Sequence, residues 1–228
     1  MIGSIARRVG AAVAALVFTA SAHALSLPPS QIAELCSNAE DQAHCGRMIE
    51  EAQLKRLPGL AVRDGDDLRI TLFPSGVVSF RDSVQISGAK SYTLWDYLDR
   101  INAVVLFTTD GDQSGFVLLQ RANGKQYRMP ADPVLSPDRQ RLVTVDICAN
   151  ICEGEIVVWR VTRDDITKEL VWKPKPAWSD AAATWIDGDT LRLEYTTASG
   201  SPARETRRLD DAVWARVAKK GSGSISPP

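Results

Sequence analysis

The chain has few of the residues that usually carry enzymatic chemistry. It contains two histidines in 228 residues, and one of them, His23, lies before the cleavage point expected below. The other, His44, would have to serve a serine-hydrolase triad alone, and no Gly-x-Ser-x-Gly motif accompanies it. No cofactor fingerprint is present either. These absences favour a non-catalytic protein over an enzyme and give no reason to expect a cofactor.

A complete set of metal ligands is also lacking. Residues 110–115 (Asp-Gly-Asp-Gln-Ser-Gly) reproduce the first half of a calcium-binding loop. Arg121, however, occupies the twelfth position, where a bidentate glutamate should close the coordination shell. We therefore expect a polar hairpin turn there and no metal site.

Neither charge nor hydropathy points to nucleic acid or to the bilayer. The formal net charge is −1 and the mean hydropathy is −0.13. Removing residues 1–24, which hold two arginines and no acid, changes the net charge only to −3. No long apolar run follows residue 24. We expect no nucleic-acid partner and no stable membrane insertion of the mature chain.

The amino-terminal residues have the pattern of a cleaved signal peptide. Arg7 and Arg8 precede an apolar run over Val9–Ala20, and Ala22-His23-Ala24 places small residues three and one before a cut. The run is well short of the roughly twenty residues that a membrane-spanning helix needs. The sequence predicts a signal peptide over residues 1–24 and a mature protein in the periplasm or secreted.

An even number of cysteines in an exported protein indicates disulfides. The four cysteines are Cys36, Cys45, Cys148 and Cys152, and they allow three pairings. We favour Cys36 with Cys45 and Cys148 with Cys152, because each pair closes a short loop within one predicted element. The spacings fit neither a zinc site nor a Cys-x-x-Cys redox centre.

Hydrophobic periodicity divides the mature chain into three segments. Spacings of three and four predict two short helices over residues 30–57, with Ser30 as a cap and Pro58-Gly59 as the end. Residues 58–217 read as about a dozen short strands separated by turns. Residues 218–228 lack an apolar pattern and are expected to be a flexible tail. The predicted fold is mainly β, preceded by a disulfide-linked α-helical hairpin.

Two internal similarities favour a repeated β unit. Residues 64–70 and 187–193 both read Asp-Gly-Asp-x-Leu-Arg-aliphatic, and residues 116–120 resemble residues 156–160 at a spacing near 40. Propeller blades recur at about that period, although Asp-Gly turns are also common by chance.

One segment resembles a known family. Residues 134–143, which contain Ser136-Pro137-Asp138, lead into an aliphatic-x-aliphatic-Trp strand over residues 156–161. This pattern, best over residues 133–161, is similar to one blade of WD40 or TolB-type β-propeller repeats. The resemblance implies a propeller-like array of short antiparallel strands, open or of about four units. It also implies a scaffold for binding, with no catalytic residue to carry over.

The candidate binding site lies among the tryptophans of the last 70 residues. Trp172 and Trp178 flank Lys173 and Lys175, so exposed rings would stand beside cations. Such a surface suits a peptide or a glycan, whereas packing between sheets is the structural alternative.

Two functions are consistent with these features. The first is an exported, non-catalytic envelope protein that binds an envelope protein or a cell-wall fragment and inhibits or scaffolds an envelope enzyme. The second is a hydrolase of an envelope polymer that uses two facing carboxylates. Its candidate residues are the aspartates in turns: Asp64, Asp66, Asp67, Asp164, Asp165, Asp210 and Asp211.

Overall fold

The computed structural model describes residues 27–85, 88–149 and 152–218, and within them the fold is mainly β. The expected signal peptide over residues 1–24 lies outside the described residues, as do residues 219–228 of the expected tail. No helix in the described part is long and apolar enough to cross a membrane.

Two short helices open the described chain, as the sequence predicts. Helix α1 covers Pro29–Leu35, a 3-10 turn follows at Cys36–Asn38, and helix α2 covers Gln42–Arg56. Asp41 caps α2 by accepting a hydrogen bond from the His44 amide at 2.7 Å. The expectation that Ser30 caps α1 is wrong. Ser30 lies inside a helix that begins at Pro29, where the fixed φ of proline suits the first helical position.

Both predicted disulfides are present, and no cysteine is free. Cys36–Cys45, here called the hairpin disulfide, joins the 3-10 turn to α2. Cys148–Cys152, the loop disulfide, lies in the connection between two paired strands. Two disulfides indicate an oxidising, extracellular compartment.

Sixteen strands follow in the described part of the chain. They are β1 Ala61–Asp64, β2 Asp67–Thr71, β3 Val77–Arg81, β4 Ser83–Gln85, β5 Gly88–Leu98, β6 Ala103–Asp110, β7 Gln113–Gln120, β8 Gln126–Met129, β9 Val134–Leu135, β10 Arg141–Asp146, β11 Glu155–Val161, β12 Ile166–Trp172, β13 Trp178–Trp185, β14 Thr190–Thr197, β15 Pro202–Arg208 and β16 Ala215–Arg216.

The strands form four antiparallel sheets that follow one another along the chain. Sheet 1 contains β1–β3, sheet 2 contains β4–β8, sheet 3 contains β9–β12 with β16, and sheet 4 contains β13–β15. The predicted polar turn after β6 is a tight hairpin in which Asp110 pairs with Gln113.

Each sheet packs on its neighbour in sequence. Sheets 1 and 2 share a core that includes Ile70 and Leu106. Sheets 2 and 3 share one that includes Leu118 and Trp159, and sheets 3 and 4 share a third. Strand alternation explains this arrangement, because successive side chains of β6 and β7 enter the cores on opposite faces of sheet 2.

The propeller implied by the resemblance is not confirmed. The described strands form an open stack of four sheets and no closed barrel. The last described strand, β16, pairs with β12 of sheet 3, where Leu170 lies opposite Arg216. The chain therefore returns to the third sheet and does not complete the first.

The repeated Asp-Gly-Asp motif occupies the same position in sheets 1 and 4. In each it lies at the turn between the first and second strands. After each third strand an amide reaches back to the second aspartate: Asp82 N bonds Asp66 O, and Leu209 N bonds Asp189 O, both at 2.9 Å. The similarity in sequence thus marks two similarly built three-stranded sheets.

Candidate binding surface

The structure brings Trp172 and Trp178 together at the edge of the core between sheets 3 and 4. Trp172 ends β12 and lies opposite Ile156, and Trp178 begins β13 after a short connection. Their ring centroids lie 5.3 Å apart with the planes nearly perpendicular. Both side chains are half-buried. Inter-sheet packing, the structural alternative, therefore accounts for part of their surface and leaves the rest exposed.

Three further side chains extend this pair into a cluster that we call the aromatic rim. Tyr195 stacks on Trp178 with centroids 3.7 Å apart, and Trp214 meets Trp172 edge-on at 5.7 Å. The guanidinium of Arg207 lies 5.4 Å from the centroid of the Trp172 ring. The aromatic rim consists of Trp172, Trp178, Tyr195, Arg207 and Trp214.

Hydrogen bonds fix the geometry of the aromatic rim. Glu205 accepts from Arg207 Nε at 3.1 Å and from Nη2 at 2.8 Å, which orients the guanidinium over the Trp172 ring. The indole of Trp214 donates to Arg208 O at 2.9 Å. The rim is thus preorganised: Trp214 is buried, and the partly exposed rings of Trp172, Trp178 and Tyr195 lie beside one oriented cation.

The two predicted lysines do not join the aromatic rim. Lys173 Nζ bonds Glu153 O at 3.2 Å and lies 3.7 Å from a Glu155 carboxylate oxygen. Lys175 is exposed and forms no ion pair with a described residue. The cation beside the tryptophans is Arg207, which the sequence gives no signal for because β15 is distant from them along the chain. Tyr195 could have been found, since it continues the inward alternation of Leu191 and Leu193.

A separate polar cleft of about 310 Å³ lies on sheet 2, and its lining includes Tyr92 and Val117 at the border of the core shared with sheet 1. Its floor includes Thr108 and Gly115, which pair across β6 and β7. Its walls carry the side chains of Lys90 and Tyr92, whose ammonium and ring lie 5.6 Å apart. The sequence gives no signal for this cleft.

The aspartates considered for hydrolysis lie in local ion pairs and turns. Hydrogen bonds from Arg81 lower the pKa of Asp67, and those from Arg208 lower the pKa of Asp210. A general acid needs the opposite shift. In the described part of the chain, no group of three or more His, Cys, Asp or Glu residues could hold a metal ion.

One carboxyl that the sequence did not single out has a raised pKa. Desolvation raises the pKa of Asp132 to about 6, the indole of Trp95 opposes this by donating a hydrogen bond, and the nearby Asp96 charge adds to it. Asp132 is nevertheless exposed and does not line the cleft on sheet 2. Its raised pKa therefore belongs to the exposed contact with Trp95 and not to the cleft.

Comparison with known proteins supplies no family for this chain. No protein-family model, curated protein or solved structure matches it at a significant level. Function must therefore be argued from the geometry of the molecule. The aromatic rim can bury apolar surface and donate hydrogen bonds from a fixed guanidinium, and these are means of binding rather than of bond cleavage.

Proposed function

We propose that the chain is exported to the periplasm, where the mature protein acts as a non-catalytic binding protein that inhibits or scaffolds an envelope enzyme. The signal-peptide pattern and the two disulfides support export. The observation that carries the binding role is the aromatic rim, in which Trp172 and Trp178 stay half-exposed at the edge of a core.

The composition of the aromatic rim favours a protein partner over a cell-wall glycan. Tryptophan, tyrosine and arginine are the residues most enriched among those that dominate protein–protein binding energy. A sugar would need an open ring face. Tyr195 covers one face of Trp178, and Arg207 lies over the Trp172 ring. An edge-on surface of this kind suits apolar side chains of a protein.

The test compares the mature protein with Trp178→Ala and Phe73→Ala variants. Phe73 is the matched control, because it is an aromatic residue, 61% exposed, in the connection between β2 and β3, and sheets 3 and 4 carry the rim. Each immobilised protein is incubated with periplasmic extract, and the recovered proteins are quantified by mass spectrometry. We expect Trp178→Ala to reduce recovery of specific partners by on the order of tenfold or more. Phe73→Ala should recover them like the parent.

Thermal melts establish that each variant is folded before its binding is compared. Equal recovery by the parent and the Trp178→Ala variant would place the contact surface elsewhere. Binding of soluble peptidoglycan fragments, with no protein recovered, would assign the rim to a cell-wall ligand.

A carboxylate-dependent hydrolase is the second candidate. Its candidate general acid is Asp132, an exposed carboxyl outside the cleft whose pKa is raised to about 6 and which lies near Asp96. A turnover assay on purified peptidoglycan tests this function. Activity in the parent that is lost in Asp132→Asn would establish it, and absence of turnover in the parent would exclude this substrate.

A further inference from the structure

In the part of the chain that the structure describes, strand β5 has a long edge without a neighbouring strand. Sheet 2 ends at β4, and β4 pairs only with Gly88–Lys90 of β5. β5 itself continues to Leu98. The hydrogen bond from Gly111 N to Ala89 O fixes the register with β6, so the backbone groups of Tyr92 and Leu94 point away from the sheet.

Side chains form hydrogen bonds with the backbone groups along this edge, where a neighbouring strand would otherwise bond. Tyr92 N donates to Asp82 Oδ1 at 2.8 Å, and Tyr92 O accepts from Arg47 and Arg63. Further along β5, Leu94 N donates to Glu50 at 2.8 Å.

Trp95 O then accepts from Gln53 Nε2 at 2.8 Å. Along this edge the side-chain groups that bond β5 are in turn an acceptor, a donor, an acceptor and a donor. The backbone of a paired strand presents its groups in the same order. Three of the five side chains involved belong to α2: Arg47, Glu50 and Gln53.

The contacts are held in a largely buried charge network centred on Glu50. Its side chain is 3% exposed and accepts from Arg63 Nε and Nη2, both at 2.8 Å. Arg47 donates to the same carboxylate at 3.2 Å. Without the Glu50 charge, Arg63 would lose one of its buried counter-charges, and a glutamine there would offer one acceptor oxygen for which Arg63 and the Leu94 amide would compete.

Gln53 gives a second indication that these contacts serve the edge. The residue is fully buried, and its Oε1 has no hydrogen-bond partner in the described structure. Burying an unpaired amide oxygen is costly. The hydrogen bond from Gln53 Nε2 to Trp95 O offsets part of that cost, and it exists only because the side chain is buried against the edge of β5.

The edge that α2 covers is chemically suited to pairing with itself. Residues 91–95 (Ser-Tyr-Thr-Leu-Trp) carry no charge, proline or glycine and consist largely of aromatic and β-branched or apolar residues. Segments of this composition on an open edge are typical sites of strand pairing between identical chains.

We propose that α2 is an edge guard: its side chains imitate a neighbouring strand and prevent β5 from pairing with β5 of a second copy of this chain. Glu50 is the central residue of the edge guard, since it accepts hydrogen bonds from the β5 backbone and from Arg47 and Arg63, which bond the Tyr92 carbonyl. The aromatic rim plays no part in this device, and the proposed binding function does not depend on it.

The experiment compares Glu50→Gln with the matched control Glu51→Gln. Both variants remove one negative charge from adjacent positions of α2, but Glu51 is exposed and pairs with Lys55 on the same helix. Amide hydrogen exchange and sedimentation velocity are measured over a range of protein concentrations. In Glu50→Gln at low concentration we expect the Leu94 amide to exchange faster by on the order of tenfold to a hundredfold.

At high concentration the same variant should form dimers in which Leu94 is protected again. Glu51→Gln should remain monomeric with parental exchange. A Glu50→Gln variant that stays monomeric with Leu94 protected as in the parent would overturn the proposal. Association with Leu94 equally open at all concentrations would also overturn it, because the interface would lie elsewhere.

If Glu50→Gln does not fold, Gln53→Ala takes its place. That substitution removes the bond to Trp95 O and leaves the charge network intact. It should cause a smaller concentration-dependent association, protected at the same amides. Monomeric Gln53→Ala with unchanged exchange over residues 92–96 would refute the guard.

Discussion

Gly188→Ala is expected to destabilise the protein more than Gly65→Ala, although each glycine is the central residue of one copy of the Asp-Gly-Asp motif. Gly65 has a φ of +57° and no atom within 4 Å of an added Cβ. Its replacement should cost about 1 kcal/mol for the left-handed backbone alone. A Cβ on Gly188 would instead lie 2.5 Å from Asp138 Oδ2.

The carboxylate of Asp138 cannot move aside freely. It accepts a hydrogen bond from Ser136 Oγ at 2.6 Å and one from Gln140 N at 3.1 Å. The alanine must either shift the Asp187–Asp189 turn or break these bonds. Overpacking of this kind, with loss of a hydrogen bond, should cost about 2 to 3 kcal/mol.

Urea unfolding and thermal melts of the two single variants measure this difference. For a chain of this size each kcal/mol corresponds to about 2 to 4 °C in Tm. The double variant Gly188→Ala/Asp138→Ala shows where the cost arises. Once the carboxylate is absent, we expect the added cost of Gly188→Ala to fall below about 1 kcal/mol.

An equal cost of Gly188→Ala with and without the Asp138 carboxylate would refute this reasoning. So would a Gly65→Ala variant that is as unstable as Gly188→Ala. The first result would mean that the contact between the Ser-Pro-Asp and Asp-Gly-Asp segments contributes nothing. The second would mean that the left-handed backbone at Gly65 costs as much as that contact.

Two further predictions concern the disulfides and the pH dependence. Replacing both cysteines of the hairpin disulfide by serine should cost up to about 2.5 kcal/mol of stability, and replacing those of the shorter loop disulfide about 2 kcal/mol, as measured by chemical denaturation. Without the hairpin disulfide, hydrogen exchange should rise first in α1, which has no buried residue, and not in α2. Asp132 has a pKa of about 6 in the folded protein, so stability is lost as the pH rises from its ordinary pKa of 3.8 through 6, and Asp132→Asn should be more stable than the parent at pH 7 and equal to it at pH 3. The effect should be small because the side chain is exposed, and the Trp95 indole NH resonance should titrate near pH 6 in the parent alone.

The sequence predicted the elements whose signal is local. Leu68 and Ile70 alternate with polar residues, and β2 lies there. The tight turns after β6 and between the repeated strands were also recognisable from Asp and Gly. The pattern of residues 88–98 does not predict a strand, although β5, the longest described strand, lies there. A bulge between Leu94 and Asp96 shifts the register there, so that the alternation of the strand is broken.

The parts that could not be predicted depend on contacts between distant residues. Glu50 and Gln53 look like solvent-exposed helix positions, and they are buried because the edge of β5 needs their side chains. In the same way, Trp172 and Trp178 could be proposed as neighbours, but the cation beside them could not. Arg207 reaches Trp172 only because sheet 4 folds back over sheet 3.

The return of β16 to sheet 3 affects how the molecule can open. In a stack where each layer touches only the adjacent ones, the outermost layer usually separates most easily. Along the chain, however, sheet 4 lies between β12 and β16. These two strands pair side by side, and Val217 N is bonded to Glu169 O at 3.0 Å. Sheet 4 is therefore an insertion within the chain of the third layer, and both of its connections are anchored there. Its departure must strain or unzip the β12–β16 pairing, so the fraying of the fourth layer is coupled to that of the third by chain connectivity rather than by ring closure.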